Sequence, residues 1–292
     1  MTLFAGLEQI VKTEVPLAPY TWMRIGGPAQ YFIEPTTPEQ LAEVLRRCRE
    51  NEVPVRILGG GANLLIDDSG VRGAVVRLAG ETFGRVRFNK DGVTAGAAAD
   101  LHRMVLRSVR EGMSGMECLA GIPGSIGGAV RMNAGGAFGD IGNMVESVDL
   151  MDSDGVGFTR LRGELVFGYR HTNISAKVIL GAEFRLMPDD PRRILNQVKR
   201  IWIYKKNTQP LWVRSAGCIF KNPRGLSAGA LIDKSGLKGR RTGGAQVSDK
   251  HANFIIADPG TRASDVLKLI NTIREDVYKR WEVYLELEVE VW

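Results

Sequence analysis

Val53-Pro54-Val55-Arg56-Ile57-Leu58-Gly59-Gly60-Gly61-Ala62-Asn63-Leu64-Leu65 is an apolar run that empties into three glycines and then resumes. Its first part predicts a strand over 53–58, and the glycines predict an abrupt change of direction. A strand followed by a glycine loop invites comparison with a dinucleotide fingerprint. The comparison fails, because Leu64 stands where the third glycine belongs and Leu64-Leu65-Ile66-Asp67-Asp68 does not open a helix. No GxxxxGK[ST] loop occurs in the chain either. What remains is a row of unhindered backbone N–H groups, which either closes a tight turn or forms a nest for a pyrophosphate.

A second stretch of the same kind follows at Ala120-Gly121-Ile122-Pro123-Gly124-Ser125-Ile126-Gly127-Gly128-Ala129. It has too little side chain to fill space itself, so a flat ligand or another piece of backbone must approach it. Two such stretches in one half of the chain favour an extended dinucleotide; a close crossing of chain segments is the competing reading.

Around these loops the pattern alternates between helix and strand. Thr37, Pro38 and Gln40 mark the start of a helix over 38–50 with Leu41, Val44, Leu45 and Cys48 on one face. A short strand is expected at 73–78. A second helix is expected after Asp100, with Leu101, Met104 and Val105 inward, ending at Gly112. The segment 121–142 reads as loop or tightly packed backbone, and strands are expected at 145–151 and 177–186. Met187-Pro188-Asp189-Asp190-Pro191 reads as a boundary, giving domains 1–188 and 189–292. Beyond it, Ile194, Leu195, Val198, Ile201 and Trp202 share one helix face, and Val266, Leu267, Ile270, Ile273, Val277 and Trp281 share another. The chain closes on Val283–Val291, whose strict period of two predicts a strand with Glu286, Glu288 and Glu290 on one face.

Composition narrows the function. With 292 residues, 44% hydrophobic and 25% charged, the chain has the makeup of an ordinary soluble protein, and no apolar run approaches the ~20 residues of a membrane span. The start lacks a secretory pattern, so a cytoplasmic location is expected. Cys48, Cys118 and Cys218 have no CxxC spacing, and His102, His171 and His251 have no ligand spacing, so neither disulfides nor a metal is expected. A net charge of +6 points to anionic partners. The basic residues come as scattered doublets such as Lys205-Lys206 and Arg240-Arg241, without interleaved aromatics, which favours small polyphosphates over nucleic acid.

Seven pieces, two of them the glycine stretches, stand in a specific order. They are Thr21-Trp22-Met23-Arg24-Ile25-Gly26-Gly27, the loop at 59–65, Ile122–Ala129, Asn133-Ala134-Gly135, Tyr169-Arg170, Gly217-Cys218-Ile219-Phe220-Lys221-Asn222-Pro223 and Gly243–Phe254. In this order, and over almost the whole chain, the sequence resembles the UDP-N-acetylenolpyruvoylglucosamine reductases, in their shorter form that lacks a loop carrying a substrate-covering tyrosine. The resemblance implies an α+β fold: an FAD-binding domain of the vanillyl-alcohol-oxidase (PCMH) type, followed by a smaller α+β substrate-binding domain. It implies an oxidoreductase acting on a CH–CH bond, with NADPH reducing FAD and leaving before the enolpyruvyl UDP-amino sugar enters the same site. No nucleic acid, membrane or obligate protein partner is expected.

For individual residues the resemblance implies the following. Leu58, Gly59, Gly60, Gly61, Ala62, Asn63 and Leu64, with Ala120, Gly121, Pro123, Gly124, Ser125, Gly128 and Ala129, hold FAD. Asn63 stands near the place where related oxidases carry a tethering histidine, so the FAD is non-covalent. Tyr169, Lys206, Asn222 and His251 contact substrate, while Arg170, Cys218 and Glu288 are catalytic. The chemistry agrees: a fixed guanidinium suits the enolate formed when hydride reaches the enolpyruvyl group. Cys218 replaces the family's commoner serine, and a thiol near pKa ~8.5 is the stronger acid. Neighbouring carboxylates ~6.6 Å away on one strand face would raise the pKa of Glu288. The residues alone do not separate it from Glu286 and Glu290. Arg214 and Arg240 stand where relatives often have proline and tyrosine, so substrate contacts there differ.

Overall fold

The computed structural model describes residues 3–292. The chain opens with two strands, β1 (Val11–Pro16) and β2 (Pro28–Ile33), and enters helix α1 (Pro38–Glu50). Helix α1 begins where the sequence places it: the Gln40 N–H donates to Thr37 Oγ1 at 3.3 Å, and Gln40 Oε1 accepts from the Thr36 N–H at 2.9 Å. Its inward face, Leu41, Val44, Leu45 and Cys48, is fully buried. Burial pushes the Cys48 thiol up to about 11, consistent with a core residue.

Strands β3 (Val55–Ile57), β4 (Leu64–Leu65) and β5 (Val71–Val76) follow, then the hairpin β6 (Val86–Asn89) and β7 (Gly92–Gly96) and helix α2 (Leu101–Arg110). Asp100 caps α2 by accepting the Arg103 N–H at 2.7 Å. Next come the short helix α3 (Ile126–Arg131), strands β8 (Val145–Met151) and β9 (Gly157–Leu161), the two-residue arms β10 (Phe167–Gly168) and β11 (His171–Thr172), and strand β12 (Val178–Arg185). The remainder is α4 (Pro191–Thr208), α5 (Ala228–Lys234), the meander β13 (Arg241–Thr242), β14 (Ala245–Val247) and β15 (Ile255–Ala257), α6 (Ala263–Trp281) and β16 (Glu290–Val291).

The chain divides into two units. One comprises the chain through Thr13, Tyr31–Gly60 and Arg72–Tyr204; the other comprises Glu14–Gln30, Gly61–Val71 and Lys205–Trp292. Contact thus groups two early segments with the C-terminal part, whereas the sequence reading drew a single cut at 188/189. Most of α4, which lies beyond that cut, belongs to the first unit. The reason is burial: Ile194, Val198 and Ile201 complete the same core as α1, α2 and β12.

In the first unit an antiparallel five-stranded sheet runs β9-β8-β12-β7-β6, while β3 pairs in parallel with β5, Val55↔Ala74, Arg56↔Val75 and Ile57↔Val76. The second unit has its own core, in which Val266, Leu269, Ile270, Ile273 and Val277 of α6 pack with Val247, Ile255, Leu285 and Val289. Its three-stranded sheet runs β13-β14-β15. Among the described residues no helix is long and apolar enough to cross a membrane.

Three sequence expectations need correction. The stretch 121–142 contains a helix, α3, despite Gly127 and Gly128. Trp281 is not inward: it is 41% exposed, with its indole N–H donating to Ser235 Oγ at 3.1 Å. The terminal strand is not continuous over 283–291. Leu287 makes an isolated antiparallel bridge to Phe220, and only Glu290–Val291 forms a strand, parallel to β4. The alternation is real, since Leu285 and Val289 are buried, but the segment changes partners halfway and cannot keep one ladder.

Candidate active site

The first unit contains both glycine stretches down to Gly60, and they lie against each other. A Cβ on Gly60 would sit 2.6 Å from Gly124 Cα, and one on Gly59 would sit 2.7 Å from Ser125 Oγ. Close crossing of backbone, one of the two readings open from sequence, is therefore real. It is also incomplete as an explanation. Gly59, Gly60 and Gly128 are exposed, and a Cβ on Gly128 would meet only Ser125 Oγ at 3.5 Å, an ordinary contact. Among the described residues, the backbone N–H groups of Gly59, Gly60, Gly121, Gly124 and Ser125 have no hydrogen-bond partner. Unpaired donors gathered on side-chain-poor backbone are what a pyrophosphate requires.

Helix α3 begins in this loop. Ser125 caps it, with the Gly128 N–H reaching Ser125 Oγ at 3.4 Å, while the Ile126 and Gly127 N–H groups are consumed by Ala99 O and Ala97 O at 2.9 Å each. Leu58 is buried with its N–H on Val76 O, and Ala129 is buried on α3. Ala120 and Gly121 also border an apolar groove of about 350 Å³ between α2 and α4, lined by Val105, Leu106, Val198 and Trp202. A larger cleft of about 420 Å³ over the five-stranded sheet contains none of the expected site residues. An amide-rich loop bordering an apolar groove fits FAD, whose phosphates need donors and whose rings need apolar cover.

Tyr169 and Arg170 form the two-residue turn between β10 and β11, which pair Phe167↔Thr172 and Gly168↔His171. Tyr169 is 54% exposed and Arg170 half-buried, with the guanidinium 5.2 Å from the Tyr169 ring centre. Arg170 has φ +54°, a left-handed conformation that L side chains rarely hold without support.

The second unit pairs the chain segments that carry Cys218 and Glu288. Cys218 bridges Phe254, and the next carbonyl, Ile219 O, accepts from the N–H groups of both Glu288 (2.8 Å) and Val289 (3.3 Å). Two N–H groups on one carbonyl mark a bulge at Glu288, where the terminal segment turns from Phe220 towards β4. Asn63 braces this point: its Nδ2 donates to Glu288 O at 2.9 Å and its carbonyl accepts the Glu290 N–H at 3.0 Å. Gly61, Ala62 and Leu64 belong to this unit; Gly61 packs on the Tyr20 carbonyl and Leu64 pairs Glu290.

The three terminal carboxylates differ. Glu288 is half-buried, while Glu286 and Glu290 are exposed and Glu286 is 3.6 Å from Lys221 Nζ. Asn253, missed in the sequence reading, is 2% exposed and holds the Cys218 segment; it accepts the Phe220 N–H at 3.0 Å and donates to Phe220 O at 2.8 Å.

Asn222 and His251 meet at the start of α5. Asn222 Oδ1 accepts the Ala228 N–H at 3.0 Å, and a Cβ on Gly229 would lie 3.2 Å from His251 Cε1. His251 Nδ1 accepts from Asn253 N–H at 3.3 Å and its ring stands edge-on to Phe254 at 5.0 Å. Burial first, then the charge of Lys238, holds the His251 pKa below its ordinary value. Lys206 is exposed near the end of α4, its carbonyl taking the Lys250 ammonium.

Residues 29–158 match the FAD binding domain family, and residues 209–292 match the C-terminal domain of UDP-N-acetylenolpyruvoylglucosamine reductase. A grass pollen allergen with glucose dehydrogenase activity, Phl p 4, shares the fold at a TM-score of 0.50 and 15% identity, covering 64% of this chain and 44% of that one. Fold and loops together define an FAD-dependent oxidoreductase of the vanillyl-alcohol-oxidase architecture with an added C-terminal α+β domain.

The particular family follows from nearer relatives. The reductase of Syntrophobacter fumaroxidans is 42% identical over 286 residues, 96% of this chain and 83% of that protein. The crystal structure of UDP-N-acetylenolpyruvylglucosamine reductase from Thermus caldophilus superposes at a TM-score of 0.85 with 40% identity, covering 97% and 98% of the two chains. The chain belongs to the UDP-N-acetylenolpyruvoylglucosamine reductases. It reduces enolpyruvyl-UDP-N-acetylglucosamine to UDP-N-acetylmuramate with FAD and NADPH, in peptidoglycan synthesis.

Proposed function

We propose that Arg170, Cys218 and Glu288 perform this reduction, that Tyr169, Lys206, Asn222 and His251 bind the UDP-sugar, and that NADPH and the sugar use one site in turn. FAD, held by the two glycine stretches without a covalent bond, supplies hydride to the enolpyruvyl double bond. Charge then develops on the carbon next to the substrate carboxylate and on the carboxylate itself. The Arg170 guanidinium balances it as a permanent cation. The Cys218 Sγ–H gives its proton to that carbon, a thiol being a stronger acid than the alcohol of a serine. Glu288, in its protonated form, stabilises the enolate by donating a hydrogen bond to it.

The observation that carries this reading is the double hydrogen bond to Ile219 O. It holds the Glu288 backbone against the residue that follows Cys218, and Glu288, unlike Glu286 and Glu290, donates its N–H to that carbonyl. The division into a cofactor-binding part, 1–188, and a substrate-binding part, 189–292, belongs to the same proposal. So does a cytoplasmic location, where UDP-sugars and NADPH are made, with no obligate protein partner. The test is a pair of substitutions. Cys218→Ser should retain much of the turnover and Cys218→Ala lose about 10²-fold or more, the usual worth of a positioned acid. Full activity in both would remove Cys218 from the chemistry.

A further inference from the structure

Asn133 is almost wholly buried, at 3% exposure, and its backbone is left-handed at φ +45°. Its side chain is committed in both directions. Nδ2 donates to Gly168 O at 2.9 Å, and Oδ1 accepts the Gly142 N–H at 3.0 Å. Gly168 is the residue from which the Tyr169-Arg170 turn springs. Gly142 lies against the same hairpin from the other side: a Cβ there would fall 2.4 Å from the Phe167 ring. The hairpin is tied at its far arm as well, since Thr172 Oγ1 donates to Arg131 O at 3.3 Å. Arg131 in turn donates to Ile174 O at 2.6 Å and Ala176 O at 2.7 Å.

A two-residue turn between arms of two residues has little stability of its own, and this one also holds Arg170 in a left-handed conformation that is unfavourable for a residue with a Cβ. Such a conformation persists only where surrounding contacts determine it. We infer that Asn133 is a positioning residue for Arg170: its amide clamps the carbonyl at the root of the turn and fixes where the guanidinium is presented. The inference rests on the proposed role of Arg170. It also accounts for the Asn133-Ala134-Gly135 motif, which neither cofactor nor substrate binding absorbs. Through Arg131 and Asn133, the C-terminal end of α3 sets the arginine, while the N-terminal end of the same helix carries the unpaired amides of the glycine loop.

The experiment measures the two half-reactions separately in flavin-loaded enzyme: bleaching by NADPH, then recovery of colour on adding the enolpyruvyl UDP-sugar. Asn133→Gly tolerates the left-handed backbone and removes only the amide. It should leave bleaching and the flavin spectrum near wild type, and slow recovery about 10–100-fold, the scale of a misplaced catalytic group. Asn133→Asp offers a second readout. Its carboxylate cannot donate to Gly168 O, but a protonated carboxyl can, so recovery should improve relative to wild type as the pH falls. Arg170→Lys is the control. If Arg170→Lys slows recovery and both Asn133 variants do not, the positioning role is wrong while the role of Arg170 stands. If Arg170→Lys has no effect, both fall. If Asn133→Gly slows recovery equally in an Arg170→Ala background, the amide acts by another route and the inference is overturned.

Discussion

At the scale of single residues, the terminal carboxylates provide the sharpest contrast. Period two made Glu286, Glu288 and Glu290 equivalent, and only the fold separates them, because the bulge on Ile219 O and the Asn63 bond fall at Glu288. Glu288→Gln should lower kcat about 10²-fold or more, while Glu286→Gln should stay within about threefold, since Glu286 makes an exposed ion pair with Lys221. Equal losses in steady-state assays would show that the bulge has no catalytic meaning. His251 gives a pH expectation. Its pKa is held below the ordinary 6.5, so the unfolded chain binds the proton more readily than the folded one. Its contribution to stability is complete above about pH 6.5 and is lost as the pH falls below that value. Urea midpoints between pH 7.5 and 5 should therefore fall less steeply in His251→Gln than in wild type; parallel curves would contradict the burial effect. Asn133 and Asn253 fall inside the ordered motifs, but their roles were not legible there. Asn133 reaches Gly168 35 positions away and Asn253 reaches Phe220 33 positions away, and a buried amide serving distant backbone leaves no local pattern.

At the scale of elements, legibility followed local signals. Helices α1 and α2 announce themselves through Thr37 and Asp100 and through apolar spacing, and both begin where expected. Helix α3 does not, because Ile126-Gly127-Gly128-Ala129 has poor intrinsic helix preference and owes its helix to the Ser125 cap and to the hydrogen bonds its Ile126 and Gly127 N–H groups donate to Ala99 O and Ala97 O. The terminal segment kept its alternation but not its ladder, since which strand it would join is a tertiary matter. Gly128 allows a test of why α3 is glycine-rich. The structure leaves room for a side chain there, and alanine in a helix is favoured over glycine by about 0.5–1 kcal/mol. Gly128→Ala should thus raise the melting temperature of the flavin-free protein and weaken FAD binding. A variant that binds FAD as tightly as wild type in a fluorescence titration would mean that no ligand approaches α3 at this glycine.

At the scale of the whole molecule, the sequence motifs were more informative than the composition. Charge and glycine content pointed to a polyphosphate ligand, while the ordered set of motifs reached the reductase family, which whole-chain similarity to the Thermus caldophilus enzyme bears out. The contact units were not legible as a single cut, because Glu14–Gln30 and Gly61–Val71 leave the first unit to build the second. The same excursions bring Asn63 to Glu288 across 225 positions. The fold carries a flavin that one substrate reduces and another reoxidises. The direct measurement is the visible spectrum of the purified protein under anaerobic conditions. NADPH should bleach the flavin bands, and stoichiometric enolpyruvyl-UDP-N-acetylglucosamine should then restore them. Bleached flavin that the sugar leaves unchanged, or bands that NADPH never bleaches, would contradict it.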